Sequence, residues 1–145
     1  MQITRQADYA LRAMLYLARH EQTRNEPNWK PATTSKIAQE KLIPSSFLAK
    51  IISQLSIARL VNTLRGASGG VMLARDPENI SLLDVVEAID GPITLCECTK
   101  DPFLCSFGSN CPLHEVWCET QNELVENLRS VSLAHLIARE EALTS

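Results

Sequence analysis

Nowhere in the 145 residues is there an apolar run of the roughly 18 residues that a membrane-spanning helix needs. The opening MQITRQADYALRAMLYLA carries Arg5, Asp8 and Arg12 among its apolar positions, which excludes the short apolar core of a secretory leader. A cytoplasmic protein with no membrane partner is the expectation. Catalytic equipment is missing as well. No nucleophile, base and orienting residue fall into a recognisable set, and the glycine-rich stretch from Gly66 to Gly70 joins two expected strands instead of a strand and a phosphate-binding helix. The chain does not read as an enzyme. Basic residues are scarce in one half only: residues 1–75 hold eleven Lys and Arg against four Asp and Glu, a charge of +7, whereas residues 76–145 hold three against thirteen, a charge of -10. The net charge of -3 hides this division. A basic half suited to a polyanion and an acidic half facing elsewhere are implied.

A chain of this length can bury about two-thirds of its unfolded surface, enough for one stable core without disulfides. All five cysteines nevertheless lie between Cys96 and Cys118. Cys96, Cys98, Cys105 and Cys111 are interleaved with Pro102, Gly108, Ser109, Asn110 and Pro112, so a loop that wraps a bound group is expected. In a reducing compartment, clustered thiols serve as metal ligands or redox groups more often than as structural disulfides. Thiols at 98, 105 and 111, spaced too widely for the paired ligands of a zinc site, suit the larger core of an iron–sulfur cluster. Zinc binding and thiol–disulfide chemistry remain alternatives for the same loop.

The periodicity of Tyr9, Ala10, Ala13, Met14, Leu17 and Ala18 predicts an amphipathic helix over residues 4–20, capped by Thr4. A polar loop with two prolines follows over residues 21–32. Thr33 or Thr34 then caps a short helix, Lys41 to Pro44 makes a turn, and Ser45 or Ser46 caps a second helix reaching about Ala58. Together they describe a helix-turn-helix, with Phe47, Leu48, Ile51 and Leu55 facing inward and Ser45, Ser46, Ala49 and Lys50 facing a major groove. Residues 60–65 and 71–74 read as a hairpin whose glycine-rich tip can approach a phosphate backbone closely. The fold class is therefore mainly α with a small β-hairpin wing. The expected DNA-contacting set is Thr4, Arg5, Ser35, Lys36, Ser45, Ser46, Lys50, Arg59, Arg65, Gly66 and Ser68. Residues 1–75 form the winged helix-turn-helix region. Residues 76–145 hold a helix begun by Ser81 and stopped at Asp90-Gly91-Pro92, the cysteine loop, a helix of about five turns from Leu113 suited to dimerisation, and a short packing helix from Ser132.

These pieces in this order, above all KIAQEKLIPSSFLAKIISQLSIARLVNTLRGASGGVMLAR, resemble the Rrf2 family of winged-helix transcription regulators, with branches such as IscR, NsrR and RirA. The resemblance covers nearly the whole chain. It implies a homodimer on an inverted-repeat operator of double-stranded DNA, acting as a repressor that senses nitric oxide, redox or iron status. It also implies an iron–sulfur cluster held by three cysteines and a non-cysteine fourth ligand. By position the cysteines are Cys98, Cys105 and Cys111, with Cys96 competing for the first place, while Cys118 on the long helix is expected to be a small buried residue. For the fourth ligand, Asp8 matches the NsrR branch and a 4Fe-4S cluster, which is favoured; His114 matches the IscR branch and a 2Fe-2S cluster. Some family members imply a further alternative, a cluster-free regulator controlled by a protein partner.

Overall fold

Helix α1 (Arg5–Glu21) begins where Thr4, in extended conformation, turns its hydroxyl to accept the Ala7 N–H at 3.1 Å. This satisfies one of the amide donors left over at a helix start. The computed structural model describes every residue except Met1, Ser68, Pro102, Leu104 and Cys105, and every side chain of these except that of Ser109. Along α1 the residues Ala7, Ala10, Ala13, Met14, Leu17 and Ala18 form one buried stripe at helical spacing. Four of the six are alanine, so neighbouring elements can approach its backbone closely.

Helix α2 (Thr34–Lys41) is capped by Thr33, whose hydroxyl accepts the Lys36 N–H at 3.3 Å. Leu42 ends it in the left-handed region (φ 55°), leaving its side chain exposed while Ile43 drops into the core. Helix α3 (Ser45–Ile57) differs from expectation at its start: Pro44 is the capping residue, and no side chain caps the helix. Proline's fixed φ already suits that position, so Ser45 and Ser46 lie exposed in the first turn with their hydroxyls unused for capping. Leu48, Ile51, Ile52 and Leu55 are buried. Phe47, expected to face inward, is 43% exposed and rests its ring against that of Tyr9, 6.1 Å away. One residue is about 100° of helical rotation, which carries Phe47 off the face centred on Leu48, Ile51 and Leu55.

Strands β1 (Val61–Leu64) and β2 (Gly70–Leu73) pair antiparallel, Val61 opposite Leu73 and Leu64 opposite Gly70. Their base is held by a third segment that periodicity did not reveal. Ala32 and Val71 exchange backbone hydrogen bonds of 2.7 and 3.1 Å. At Gly70 a Cβ would lie 2.5 Å from the Ala32 carbonyl oxygen and 2.9 Å from that of Pro31, so only glycine lets the segments meet. The polar loop before it is anchored too: His20 Nε2 contacts the Lys30 carbonyl at 2.6 Å, and Trp29 donates from Nε1 to the His20 carbonyl at 3.1 Å.

Helix α4 (Leu82–Asp90) starts with a reciprocal cap between Ser81 and Asp84 and stops at Gly91 (φ 77°). The short α5 (Glu97–Lys100) and the long α6 (Pro112–Ser130) follow, and α7 (Leu133–Thr144) opens with a reciprocal cap between Ser132 and His135. The starts of α4 and α7 are stitched together, Leu82 N–H to the Val131 carbonyl at 2.8 Å and Leu133 N–H to the Ile80 carbonyl at 2.9 Å. The main core joins α1, α2, α3 and the wing to Ile80, Val85, Leu133 and Ile137, and Arg19 on α1 pairs with Glu140 on α7 at 3.0 Å. A smaller cluster, Leu83, Val86 and Ile93, receives Leu124, Val125 and Leu128 from α6. Among the described residues no helix is long and apolar enough to cross a membrane.

Truncating Leu55, which is fully buried, to alanine should cost about 2–5 kcal/mol, read as a lowered midpoint in urea unfolding. Gly70→Ala should cost about 1–3 kcal/mol through the clash with residues 31 and 32, and should speed hydrogen exchange of the Val71 amide.

Candidate nucleic-acid interface and cysteine centre

The side chains expected to meet DNA come from four elements, and the structure leaves the described ones open to solvent. Thr4 and Arg5 are exposed at the start of α1, Ser35 and Lys36 at the start of α2, and Ser45, Ser46 and Lys50 on the outer face of α3. Arg59 follows α3 in the left-handed region (φ 60°), and Arg65 and Gly66 lead into the wing tip, all exposed. Ser68 lies outside the described residues. Among the described residues the ion pairs engage Arg12, Arg19, Arg24 and Arg129, so Arg5, Lys36, Lys50, Arg59 and Arg65 keep their charge uncommitted. Cations of this kind are available to phosphate oxygens, while the small hydroxyl residues at the start of α3 leave its first turn able to enter a groove.

Thr4 has a second role that sequence periodicity does not show. Its hydroxyl donates to Asp90 Oδ1 at 2.5 Å and its N–H to Oδ2 at 3.4 Å, tying the start of α1 to the last residue of α4. From Asp90 the chain turns at Gly91 into the cysteine segment, whose entry is fixed where Leu95 N–H donates to Gln121 Oε1 of α6 at 2.9 Å. The arm that carries Thr4 and Arg5 and the root of the cysteine segment therefore share one contact.

In that segment Cys96 precedes α5 in extended conformation and Cys98 lies within it, both half-buried. Their sulfurs stand 3.1 Å apart, a contact between thiols and longer than the ~2.05 Å of a disulfide. Thr99 binds the Cys96 carbonyl twice, from N–H at 3.1 Å and from its hydroxyl at 2.7 Å, which holds this short turn. Half-buried Cys111 is the residue from which α6 starts, and its carbonyl accepts the His114 N–H at 3.1 Å. Cys105 lies outside the described residues. Cys118, expected to be buried, is half-exposed, and its sulfur lies 3.5 Å from Nε2 of His114 one turn before it. Cys118 stands seven residues before Val125, on nearly the same side of α6 that packs against α4.

The two candidates for a fourth ligand are differently placed. Asp8 on α1 is half-exposed and pairs with Arg12 at 2.7 Å, an i,i+4 ion pair worth about 0.3–0.5 kcal/mol and so readily exchanged for a stronger partner. His114 sits in the first turn of α6 beside Cys118. Among the described residues no three His, Cys, Asp or Glu side chains are gathered around a common point. The donor types still fit an iron–sulfur group: two adjacent thiols at the start of α5, one thiol at the head of α6, and an oxygen or imidazole donor elsewhere. Away from this site, burial chiefly, and then the Glu40 carboxylate, pushes the Tyr16 hydroxyl above its ordinary value, so it stays protonated.

Comparison with known proteins matches residues 3–139 to the family Rrf2, described as iron-dependent transcriptional regulator. An HTH-type transcriptional regulator, ORF2, of Azotobacter vinelandii is 31% identical over 141 residues, covering 97% of this chain and 82% of that protein. The regulator NsrR of Shouchella clausii is 29% identical over 144 residues, covering 99% and 93%. Among solved structures, T. potens IscR superposes with a TM-score of 0.78 at 24% identity, over 100% of this chain and 92% of that one. CymR, the global cysteine regulator of B. subtilis, gives 0.76 at 27% identity, over 96% and 98%. With the exposed cations of its winged helix and a family match across nearly its whole length, the chain belongs to the Rrf2 family of DNA-binding transcriptional regulators.

Proposed function

We propose that this protein is a homodimeric repressor whose hold on an inverted-repeat operator depends on an iron–sulfur cluster, and that nitric oxide, redox or iron status is its signal. The observation that carries the reading is the convergence of the Cys96 and Cys98 thiols on one short turn rooted, through Asp90, at the DNA-facing end of α1. Likeness to NsrR and to the IscR structure supports it. Cys98, Cys105 and Cys111 are the proposed cysteine ligands, with Cys96 the alternative for the first. The partner subunit's Asp8 is the proposed fourth ligand and His114 the alternative. When bound, the cluster would supply a reactive iron centre, 4Fe-4S in the Asp8 arrangement and 2Fe-2S in the other.

On the DNA side, Ser45, Ser46 and Lys50 present the start of α3 to the major groove, while Thr4, Arg5, Ser35, Lys36, Arg59, Arg65, Gly66 and Ser68 line the phosphate contacts. Because Thr4 binds Asp90, a strain applied to the cysteine segment reaches the arm that carries Arg5 without crossing the core. A preference of 1.4 kcal/mol between two placements of the reading units is worth about tenfold in operator affinity. Dimerisation is assigned to α6. That helix has no buried residue within the chain, and Leu113, Val116 and Trp117 are exposed along it. Thiol–disulfide control is the second reading, favoured by the same contact between Cys96 and Cys98 and by likeness to CymR.

Anaerobic purification should yield a brown protein, and native mass spectrometry of the dimer should show the mass of one cluster per subunit; Cys111→Ala should bleach it while the circular dichroism spectrum is kept. A colourless wild type after reconstitution with iron and sulfide would sink the cluster reading. Lys36→Ala should weaken operator binding and lower the slope of log affinity against log salt by about one, measured by fluorescence anisotropy. Trp117→Glu should shift the dimer towards monomer in sedimentation, because a charge would enter the proposed apolar seam.

A further inference from the structure

We propose that Cys96 and Cys98 form a peroxide-responsive thiol pair that closes to a disulfide and withdraws Cys98 from cluster assembly; the inference rests on the cluster reading for this consequence alone. The two sulfurs already stand 3.1 Å apart. Closure to a disulfide asks them to approach by about 1 Å, within reach of side-chain rotation. The backbone between them is held by both Thr99 bonds to the Cys96 carbonyl, and the residue before Cys96 is pinned to Gln121. Because the partners are two residues apart and already in contact, ring closure costs little chain entropy. Both side chains are half-buried and remain open to a small oxidant. A cluster with three cysteine ligands leaves one of the first two cysteines over, and the structure sets that spare thiol against its neighbour.

The chemistry is a two-step oxidation by hydrogen peroxide. The Cys98 sulfur attacks the peroxide O–O bond, forming an S–O bond to give the sulfenic acid and releasing hydroxide, which takes up the thiol proton to leave as water. The Cys96 sulfur then attacks Cys98 sulfur, the S–S bond forms, the S–O bond breaks, and the hydroxyl leaves as a second water with the Cys96 proton. Two thiols are oxidised and one peroxide is reduced. A low-molecular-weight thiol reverses the reaction by exchange. A ligand tied up in this way cannot hold iron, so a chain that loses its cluster under peroxide stays without one until it is reduced.

The sequence offers a clean assay. Tryptic cleavage after Arg75 and Lys100 places Cys96 and Cys98 on one peptide, residues 76–100, with no other cysteine, while Cys105, Cys111 and Cys118 fall on residues 101–129. The full-length apoprotein is treated with hydrogen peroxide, alkylated, digested and weighed. The expected result is a 76–100 peptide lighter by two hydrogens and carrying no alkyl group. The Cys96→Ser variant should instead yield a Cys98 sulfenic acid trapped by dimedone. Oxidised wild type should take up roughly tenfold less iron and sulfide than untreated protein, and recover after dithiothreitol. A 76–100 peptide cross-linked to 101–129, or one alkylated at both cysteines, overturns the proposal. Disulfide formation in a protein that never accepts a cluster supports the thiol pair and overturns the cluster reading instead.

Discussion

The run of alanines on α1 governs how closely everything else can pack. Ala7, Ala10, Ala13 and Ala18 present almost no side-chain bulk, and α3, α4, α7 and β2 all contact this helix. Met14 and Leu17 fill the spaces between them, and larger residues in place of the alanines would push the neighbouring elements apart. Both halves of the chain meet on this stripe. The helix-turn-helix and the wing therefore inherit their relative positions from the same helix that carries Thr4 and Asp8 at its first turns, and a displacement of α1 cannot be absorbed locally in a close-packed core.

Charge completes what packing begins. On α6 the exposed residues Glu115, Glu119, Glu123 and Glu126 repeat at helical spacing, and Arg129 offsets only the last of them. Like charges one turn apart weaken a helix slightly, by a few tenths of a kcal/mol per pair. The same stripe repels a polyanion. With uncommitted cations at the starts of α1, α2 and α3 and on the wing, the molecule has one end that attracts a phosphate backbone and another that turns away from it.

Much of the architecture was legible because helices announce themselves through local chemistry. Thr4, Thr33, Ser81 and Ser132 cap helices as their side chains allow, and Gly91 ends α4 where a positive φ is needed. Pro44 displaced Ser45 and Ser46 from the cap because a fixed φ can start a helix without a side-chain bond. Phe47 misled because one step in sequence is a large step around the helix. The pairing of Ala32 with Val71 stayed hidden because it uses backbone groups that every residue owns. Only Gly70, a strand glycine, hinted that another backbone comes close. At the site, residue types and spacing drew attention to the cysteine segment, but the contact of Cys96 with Cys98, the tie of Thr4 to Asp90 and the hold of Arg12 on Asp8 depend on three-dimensional proximity that spacing does not encode.

The packing of α7 against α1 bears on how the molecule is made. Residues 133–144 close the core around residues 5–21, so a nascent chain that has released its winged helix from the ribosome still lacks Leu133 and Ile137. Until those last turns emerge, Ile80, Val85 and the inner face of α1 stay partly uncovered. The helix-turn-helix and wing thus complete their core only once residues 133–144 have emerged, well after the cysteine segment has been synthesised.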